Sequence, residues 1–128
     1  MRLLLDTHAL IWWLAGDARL SEPAQVAIAD EGNEIFVSAA SAWEITTKFR
    51  LGKLPSVAPI AADLASAIGS QGFVPLSVTL RHGQVAGALP GPHHDPFDRM
   101  LIAQAMLDNL VLVSNETRFD VFGVARFW

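Results

Sequence analysis

The sequence predicts an α/β protein built around a mostly parallel sheet. Short apolar runs of strand length alternate with longer stretches of helical period, the order in which βα units are laid down. The first such run, Arg2 to Leu5, is apolar apart from its first residue, as a central strand covered on both faces requires. At 128 residues and 52% hydrophobic content the chain can bury one continuous core, so a single domain over residues 1–128 is expected.

The elements follow in order. The first strand ends at Asp6, and a helix from about His8 to Ala15 stops at the turn around Gly16 and Asp17. A second helix begins at Ser21, with Glu22 and Pro23 in its first turn. Glu34 to Val37 is the second strand. Ser41 and Glu44 make the S-x-x-E pattern of a capping box, which predicts a helix from there to about Leu51, ended by Gly52. Ile60, Leu64, Ala67 and Ile68 line one face of a helix over roughly Pro59 to Ser70, before a third strand at Phe73 to Leu76. Ser77 to Leu89 reads as a weaker helix with two glycines, and LPGPHH as a loop. Asp95, Pro96 and Asp98 supply an N-cap, a first-turn proline and a first-turn acid for a strong helix to about Asn109. A fourth strand, Leu110 to Val113, a turn near Phe119 to Gly123 and a last strand, Val124 to Trp128, complete the chain. There is no repeat, low-complexity tract or linker.

Composition narrows the chemistry. With no cysteine there is neither a disulfide framework nor a thiolate metal site, and a reducing cytoplasm is the expected compartment. Any metal must be held by oxygen or imidazole. The N-terminal run MRLLLDTHALIWWLAG is interrupted by Asp6 and His8 and is not expected to be a signal peptide, and no apolar stretch is long enough to span a bilayer, so no membrane association is expected. The net charge of −4 argues weakly against a nucleic-acid surface. That argument reverses if several carboxylates converge on divalent cations, because a phosphate can then approach.

Four acids stand where convergence is possible. Asp6 follows the first strand, Glu44 and Asp98 lie in first turns of helices that follow loops, and Glu116 lies just past the fourth strand. In a parallel sheet all four belong to the carboxyl edge, where open α/β folds bind ligands. Each also has an ordinary explanation: Glu44 completes the capping box, Asp98 complements a helix dipole, Asp6 caps a helix, and Glu116 is a solvated loop acid. Asp6 is the hardest to dismiss, since a carboxylate against a buried strand is costly unless compensated. If the four converge, oxygen-only ligation suits Mg²⁺ or Mn²⁺, and water activation with charge stabilisation at a phosphodiester follows.

The stretches LLLDTHALIWWL, SAASAWEITTKFRLGKL, HHDPFDRMLIAQAM and LVSNETRFDVFGV resemble, in order and spacing, the PIN-domain family, and specifically the VapC-type toxins of bacterial toxin–antitoxin pairs. The likeness covers essentially the whole chain. It implies a three-layer α/β/α sandwich with a parallel sheet of strand order 3-2-1-4-5 and metal-dependent endoribonuclease activity. It also implies RNA as substrate, a VapB-type antitoxin as partner and a homodimer. The family's acids fall on Asp6, Glu44, Asp98 and Glu116; at the last position many relatives have Asp, and the longer arm points to a water-mediated role. Asp95 is typical of this subgroup, but the N-cap of the following helix is its preferred reading.

Among the remaining residues, Thr7 and Ser114 are candidates to hydrogen-bond water or phosphate at such a site, with capping as the alternative. Lys48, Arg50 and Lys53 follow Glu44, and Arg99 and Arg118 flank Asp98 and Glu116; all five are candidate RNA contacts. Adjacent His93 and His94 invite a zinc site, but consecutive side chains diverge, and loop histidines or RNA contacts are the preferred reading. His8 is expected at the rim of the site or on the first helix, and His82 is uninformative. At least one of Trp12, Trp13 and Trp43 is expected in the core; Trp12 and Trp13, adjacent on a helix, cannot both face inward easily, so one of that pair is expected in an apolar groove or interface. Two rival functions are weighed. A phosphatase or phosphoacceptor with Asp6 as nucleophile is disfavoured, because His8 stands where D-x-D would need its second acid and the last lysine is Lys53. A catalytically silent PIN-fold binding partner is opposed by the presence of all four acids.

Overall fold

Residues 1–128 are all described by the computed structural model. In chain order the elements are β1 (Arg2–Leu5), α1 (Thr7–Ala15), α2 (Glu22–Ala29), β2 (Glu34–Ser38), α3 (Ala39–Arg50), α4 (Ala58–Ala62), α5 (Leu64–Ser70), β3 (Val74–Leu76), α6 (Leu80–Ala88), α7 (Pro96–Asp108), β4 (Val111–Val113) and β5 (Arg126–Phe127). Short 3-10 helices occupy Pro55–Val57 and Thr117–Phe122. The five strands form one parallel sheet in the order β3-β2-β1-β4-β5.

Leu3, Leu4 and Leu5 are wholly buried, which explains the unbroken apolar run: β1 is the central strand and both its faces are covered. Side chains alternate across the sheet. Leu3 and Leu5 share one core with Ile35, Val37 and Val113 and with residues of α1, α2, α3 and α5. Leu4 points the other way, into a second core with Phe36, Leu112, Phe119 and the Leu101, Ile102 and Ala105 stripe of α7. Leu4 pairs in register with Phe36 on β2 and Leu112 on β4, so the second core is continuous across three strands. The result is the expected three-layer α/β/α sandwich.

Three local expectations are corrected. The cap of α3 is Ser38, whose hydroxyl accepts from the Ala40 N–H at 3.0 Å; Ser41 is inside the helix and fully buried, and Glu44 lies in the second turn. Strand β2 runs straight into the helix, so the first extended residue able to cap is the strand's own last residue. The helix expected over Pro59 to Ser70 is broken at Asp63, whose backbone leaves the helical region (φ −149°, ψ 71°) and whose carboxylate accepts from the Ser66 N–H at 3.2 Å, restarting the chain as α5. The edge strand β5 is two residues rather than five.

His82, uninformative in sequence, is buried and structural. Its Nδ1 accepts from the Thr79 N–H at 3.0 Å while the Thr79 hydroxyl accepts from the His82 N–H at 3.1 Å. An accepting Nδ1 leaves the proton on Nε2, which lies 2.9 Å from Asp108 and ties the start of α6 to the end of α7. The tryptophan pair also departs from expectation. Trp12 is buried edge-on to Trp128, and Trp13 is half-buried beside Phe73 with its indole N–H donated to Gln71 at 2.9 Å. Aromatic rings from two distant segments accept both, and the tryptophan left at the surface is Trp43, 63% exposed.

Candidate active site

The carboxyl edge of the sheet gathers chain turns from three adjacent strands. Asp6 is the first residue beyond β1, and its backbone N–H bonds to the Val113 carbonyl at 3.1 Å, which pins it to the end of β4. Ser114, the first residue beyond β4, is fully buried, and Ser38 ends β2 beside them. Asp6 caps α1 by accepting from the Ala9 N–H at 2.7 Å, and is 5% exposed. Glu44 reaches in from α3 and is 3% exposed, and Asp98 comes from the first turn of α7, with 16% of its side chain exposed.

Glu44 is held at both oxygens. The Thr7 hydroxyl donates to Oε1 at 2.6 Å, with Ser41 Oγ 3.2 Å from the same hydroxyl, and the Lys48 ammonium sits 2.5 Å from Oε2. Asp98 Oδ2 lies 3.0 Å from His93 Nε2 and 3.9 Å from an Arg118 nitrogen. Glu116 is more exposed than the other three, pairs with Arg118 Nε at 3.2 Å and donates its backbone N–H to the Ser114 hydroxyl at 3.0 Å.

Burial pushes the Asp6 carboxyl up from 3.8 to about 6, and the charge of Asp98 adds to the shift; the Ser114 hydroxyl, the Ala9 N–H and His8 oppose it. Asp98 is raised by burial first, then by Asp95 and Glu44, with His93 acting the other way. For Lys48, burial works against the charged form, but the hydrogen bond to Glu44 and the charges of Glu44, Asp95 and Asp98 outweigh it and hold the ammonium above its usual value. These mutual influences put Asp6, Glu44, Asp95 and Asp98 in one electrostatic cluster. Glu116 stands at its edge.

The donor set fits a hard divalent cation: carboxylate and hydroxyl oxygens, with a buried Asp6 charge that no cationic side chain pairs. As arranged, no three acidic or histidine side chains surround one point at ligand distance. Lys48 and Arg118 take up carboxylate oxygens on Glu44, Asp98 and Glu116 instead.

The other candidates sort clearly. Thr7 and Ser114 are buried against the acids. Asp95 caps α7, accepting from the Phe97 and Asp98 N–H groups at 2.9 and 3.3 Å, and also adds its charge to the cluster. Lys48 and Arg118 contact the acids, whereas Arg50 and Lys53 are exposed near the far end of α3. Arg99 has a bracing role that the sequence did not signal: its guanidinium donates to the carbonyls of Ala86, Gly87, Leu89 and His93 and ties a loop to α6. His8 is exposed beside Asp6, with its ring 5.6 Å from that of Trp12 on α1. His93 lies in the loop before α7 as expected, but its side chain is turned inward and is not the exposed one that sequence reasoning anticipated; its five-residue distance from Asp98 carries no signal by itself. No helix is long and apolar enough to cross a membrane.

The PIN domain model matches residues 3–124. Ribonuclease VapC22 of Mycobacterium tuberculosis is 30% identical over 119 residues, covering 91% of this chain and 88% of that protein. Ribonuclease VapC16 of the same organism is 44% identical over 69 residues, 54% of this chain and 48% of that protein, so the match spans about half of that relative. Among solved structures, VapBC2 from Rickettsia felis bound to a DNA fragment from its promoter has a chain that superposes with a TM-score of 0.69 at 14% identity, covering 99% of this chain and 98% of that one, which speaks to the fold. The family model spans nearly the whole chain, and the sheet order is the one the resemblance implied: this chain belongs to the PIN-domain family, in its VapC-type group.

Proposed function

We propose that this chain is a divalent-metal-dependent endoribonuclease and the toxin of a toxin–antitoxin pair. The observation that carries the proposal is the convergence of Asp6, Glu44 and Asp98 at the carboxyl edge of the sheet, two of them with raised carboxyl pKa values and Asp6 without a cationic partner. Buried acids without compensation are expensive in a protein that binds no cation, and useful in one that does. Asp6, Glu44 and Asp98 would hold Mg²⁺ or Mn²⁺, with Glu116 at the rim orienting water. When bound, the cation lowers the pKa of the attacking water and stabilises charge at the phosphodiester. Thr7 would orient Glu44, Ser114 and the Ala9 N–H would orient Asp6, and Lys48 and Arg118, now on the carboxylates, would turn to phosphate oxygens once the cation takes their place.

The relatives' names supply the nuclease and its partner: both curated relatives are called ribonucleases, and the Rickettsia felis structure is a VapBC assembly. We extend both to this chain, with a VapB-type antitoxin, a homodimer and a cytoplasmic location. An apolar groove of about 440 Å³ beside the exposed Trp43, lined also by Ala40, Ala86 and Phe97, supports a protein partner on this chain. One observation favours a second reading, a silent binding protein: Lys48 already occupies Glu44, and no three ligands stand ready around one point.

The experiment that separates them is incubation of a cellular RNA pool with purified, folded, antitoxin-free protein and Mg²⁺ or Mn²⁺, with EDTA and Asp98→Asn controls. Discrete products that vanish in both controls are expected. Intact RNA in every lane would leave the silent binder.

A further inference from the structure

The loop that leads into α7, from Leu89 to Asp95, contains Pro90, Gly91, Pro92 and two adjacent histidines, a composition that by itself predicts an exposed connection. Arg99 decides otherwise. Its Nε donates to the Ala86 carbonyl at 3.0 Å, one terminal nitrogen to the His93 carbonyl at 2.9 Å, and the other to Gly87 at 3.3 Å and to Leu89. A planar guanidinium with five N–H donors can gather four carbonyls at once, and here it ties the end of α6 to the loop and so sets where His93 begins.

His93 then turns inward while His94 remains exposed. Its ring stands edge-on to Phe119, with centroids 5.8 Å apart, and to Phe122 at 6.2 Å, and only 10% of the side chain reaches solvent. Nε2 is 3.0 Å from Asp98 Oδ2. An ionised carboxylate only accepts, so Nε2 carries the proton and donates. Backbone, ring packing and hydrogen bond therefore fix one geometry for the Asp98 carboxylate. Both cationic or donating neighbours, His93 and Arg118, fall on Oδ2, and no protein hydrogen bond falls on Oδ1.

We infer that His93 is a positioning residue for Asp98: it holds Oδ2 so that Oδ1 is presented to a divalent cation, and Arg99, Phe119 and Phe122 hold His93. The inference rests on the proposed metal-dependent reading of the same site. Partners that hydrogen-bond a ligating carboxylate typically contribute roughly 10- to 100-fold to metal affinity or activity.

The test uses the full chain and Mn²⁺ alone as the first probe, titrated calorimetrically, followed by kcat and KM on an RNA the wild type cleaves. His93→Phe keeps the aromatic packing and removes the donor; His93→Gln restores an N–H of similar reach. With Phe, Mn²⁺ affinity and kcat are expected to fall by roughly tenfold or more, with KM little changed, and Gln is expected to recover most of both losses. A packing role would rank the two the other way, because Phe is the better core residue. Should the Phe variant not fold, His93→Leu is read in the same manner. Wild-type Mn²⁺ affinity in the donor-less variant, or Gln no better than Phe, would overturn the inference. Asp98→Asn measured alongside separates the two levels: if it binds Mn²⁺ and cleaves like wild type, the metal-site reading itself is lost, whereas loss in Asp98→Asn with none in His93→Phe removes only His93.

Discussion

Two sets of acids in this protein are treated in opposite ways. On the surface, Asp17 shares its carboxylate with Arg19 at 2.7 Å and Asp120 with Arg126 at 2.8 Å, and in each the arginine's hydrogen bond pulls the carboxyl below its usual value. At the carboxyl edge of the sheet, Asp6 is pushed up by burial and by the charge of Asp98, and Asp98 by burial and by the charges of Asp95 and Glu44. Pairing is thus supplied where water already solvates the charge, and withheld from Asp6, where burial makes it dear. Surface pairs contribute little to stability, so the surface arrangement is unremarkable. The buried one carries a stability penalty, as the proposed cation site would require.

The contrast can be broken by mutation, and the largest effect is expected on activity. Asp6→Asn and Asp98→Asn each keep the shape of the site and remove one charge; cleavage of RNA in Mn²⁺ should fall on the order of 100-fold or more. Near-wild-type cleavage by either variant would take that residue out of the mechanism.

The next effect is on stability and has a definite sign. Asp6 ionises near 3.8 when exposed and near about 6 in the folded protein. Between those values the folded state holds the extra proton, so stability is greatest below pH 3.8 as far as this group is concerned, and is lost as pH rises through about 6. Above that the ionised, metal-free site carries a penalty of about 3 kcal/mol. Asp6→Asn, which can still accept the Ala9 N–H, should therefore raise the denaturation midpoint of EDTA-treated protein at pH 8 and flatten its rise between pH 6 and pH 4. Mn²⁺ should stabilise the wild type at pH 8 and the variant much less. An unchanged midpoint at pH 8 would show that the Asp6 charge is already compensated.

A smaller effect sharpens the comparison from the other side. Glu44 is a buried acid paired with an ammonium, that of Lys48, itself about a third exposed. Lys48→Met should destabilise the metal-free protein by about 1–2 kcal/mol, the buried-pair penalty reduced for solvent screening. That loss should shrink when Mn²⁺ is added, which a urea titration with and without the ion would record. Smallest of all is Asp17→Asn, for which no measurable change in midpoint or cleavage is expected.

Much of this was readable from short stretches of chain. The bounds of α7 follow from Asp95, which caps it, Pro96 in its first turn and Asn109, which takes the left-handed conformation at its end, φ 59°. Gly52 ends the α3 segment at φ 74° for the same local reason. Strand β1 was visible as an apolar run because both of its faces are buried. Such features depend on neighbours within a turn or two, and sequence holds those neighbours in order. The cap of α3 was missed because Ser38 and Ser41 are equal candidates until the length of β2 is known, and the break at Asp63 because the apolar face continues through it.

By itself, then, the sequence determined the order of elements, β1 as a strand covered on both faces, and the four acids as candidates. Only the tertiary structure decided that Lys48 sits on Glu44, that Arg99 braces a loop, and that the His93 side chain turns from that loop to Asp98. Strand and helix signals are short-range and additive along the chain. Convergence depends on which strands become neighbours, and β1 meets β2 and β4 across segments whose lengths say nothing of the pairing. Contacts such as Thr7 to Glu44, thirty-seven residues apart, exist only once that pairing has been made.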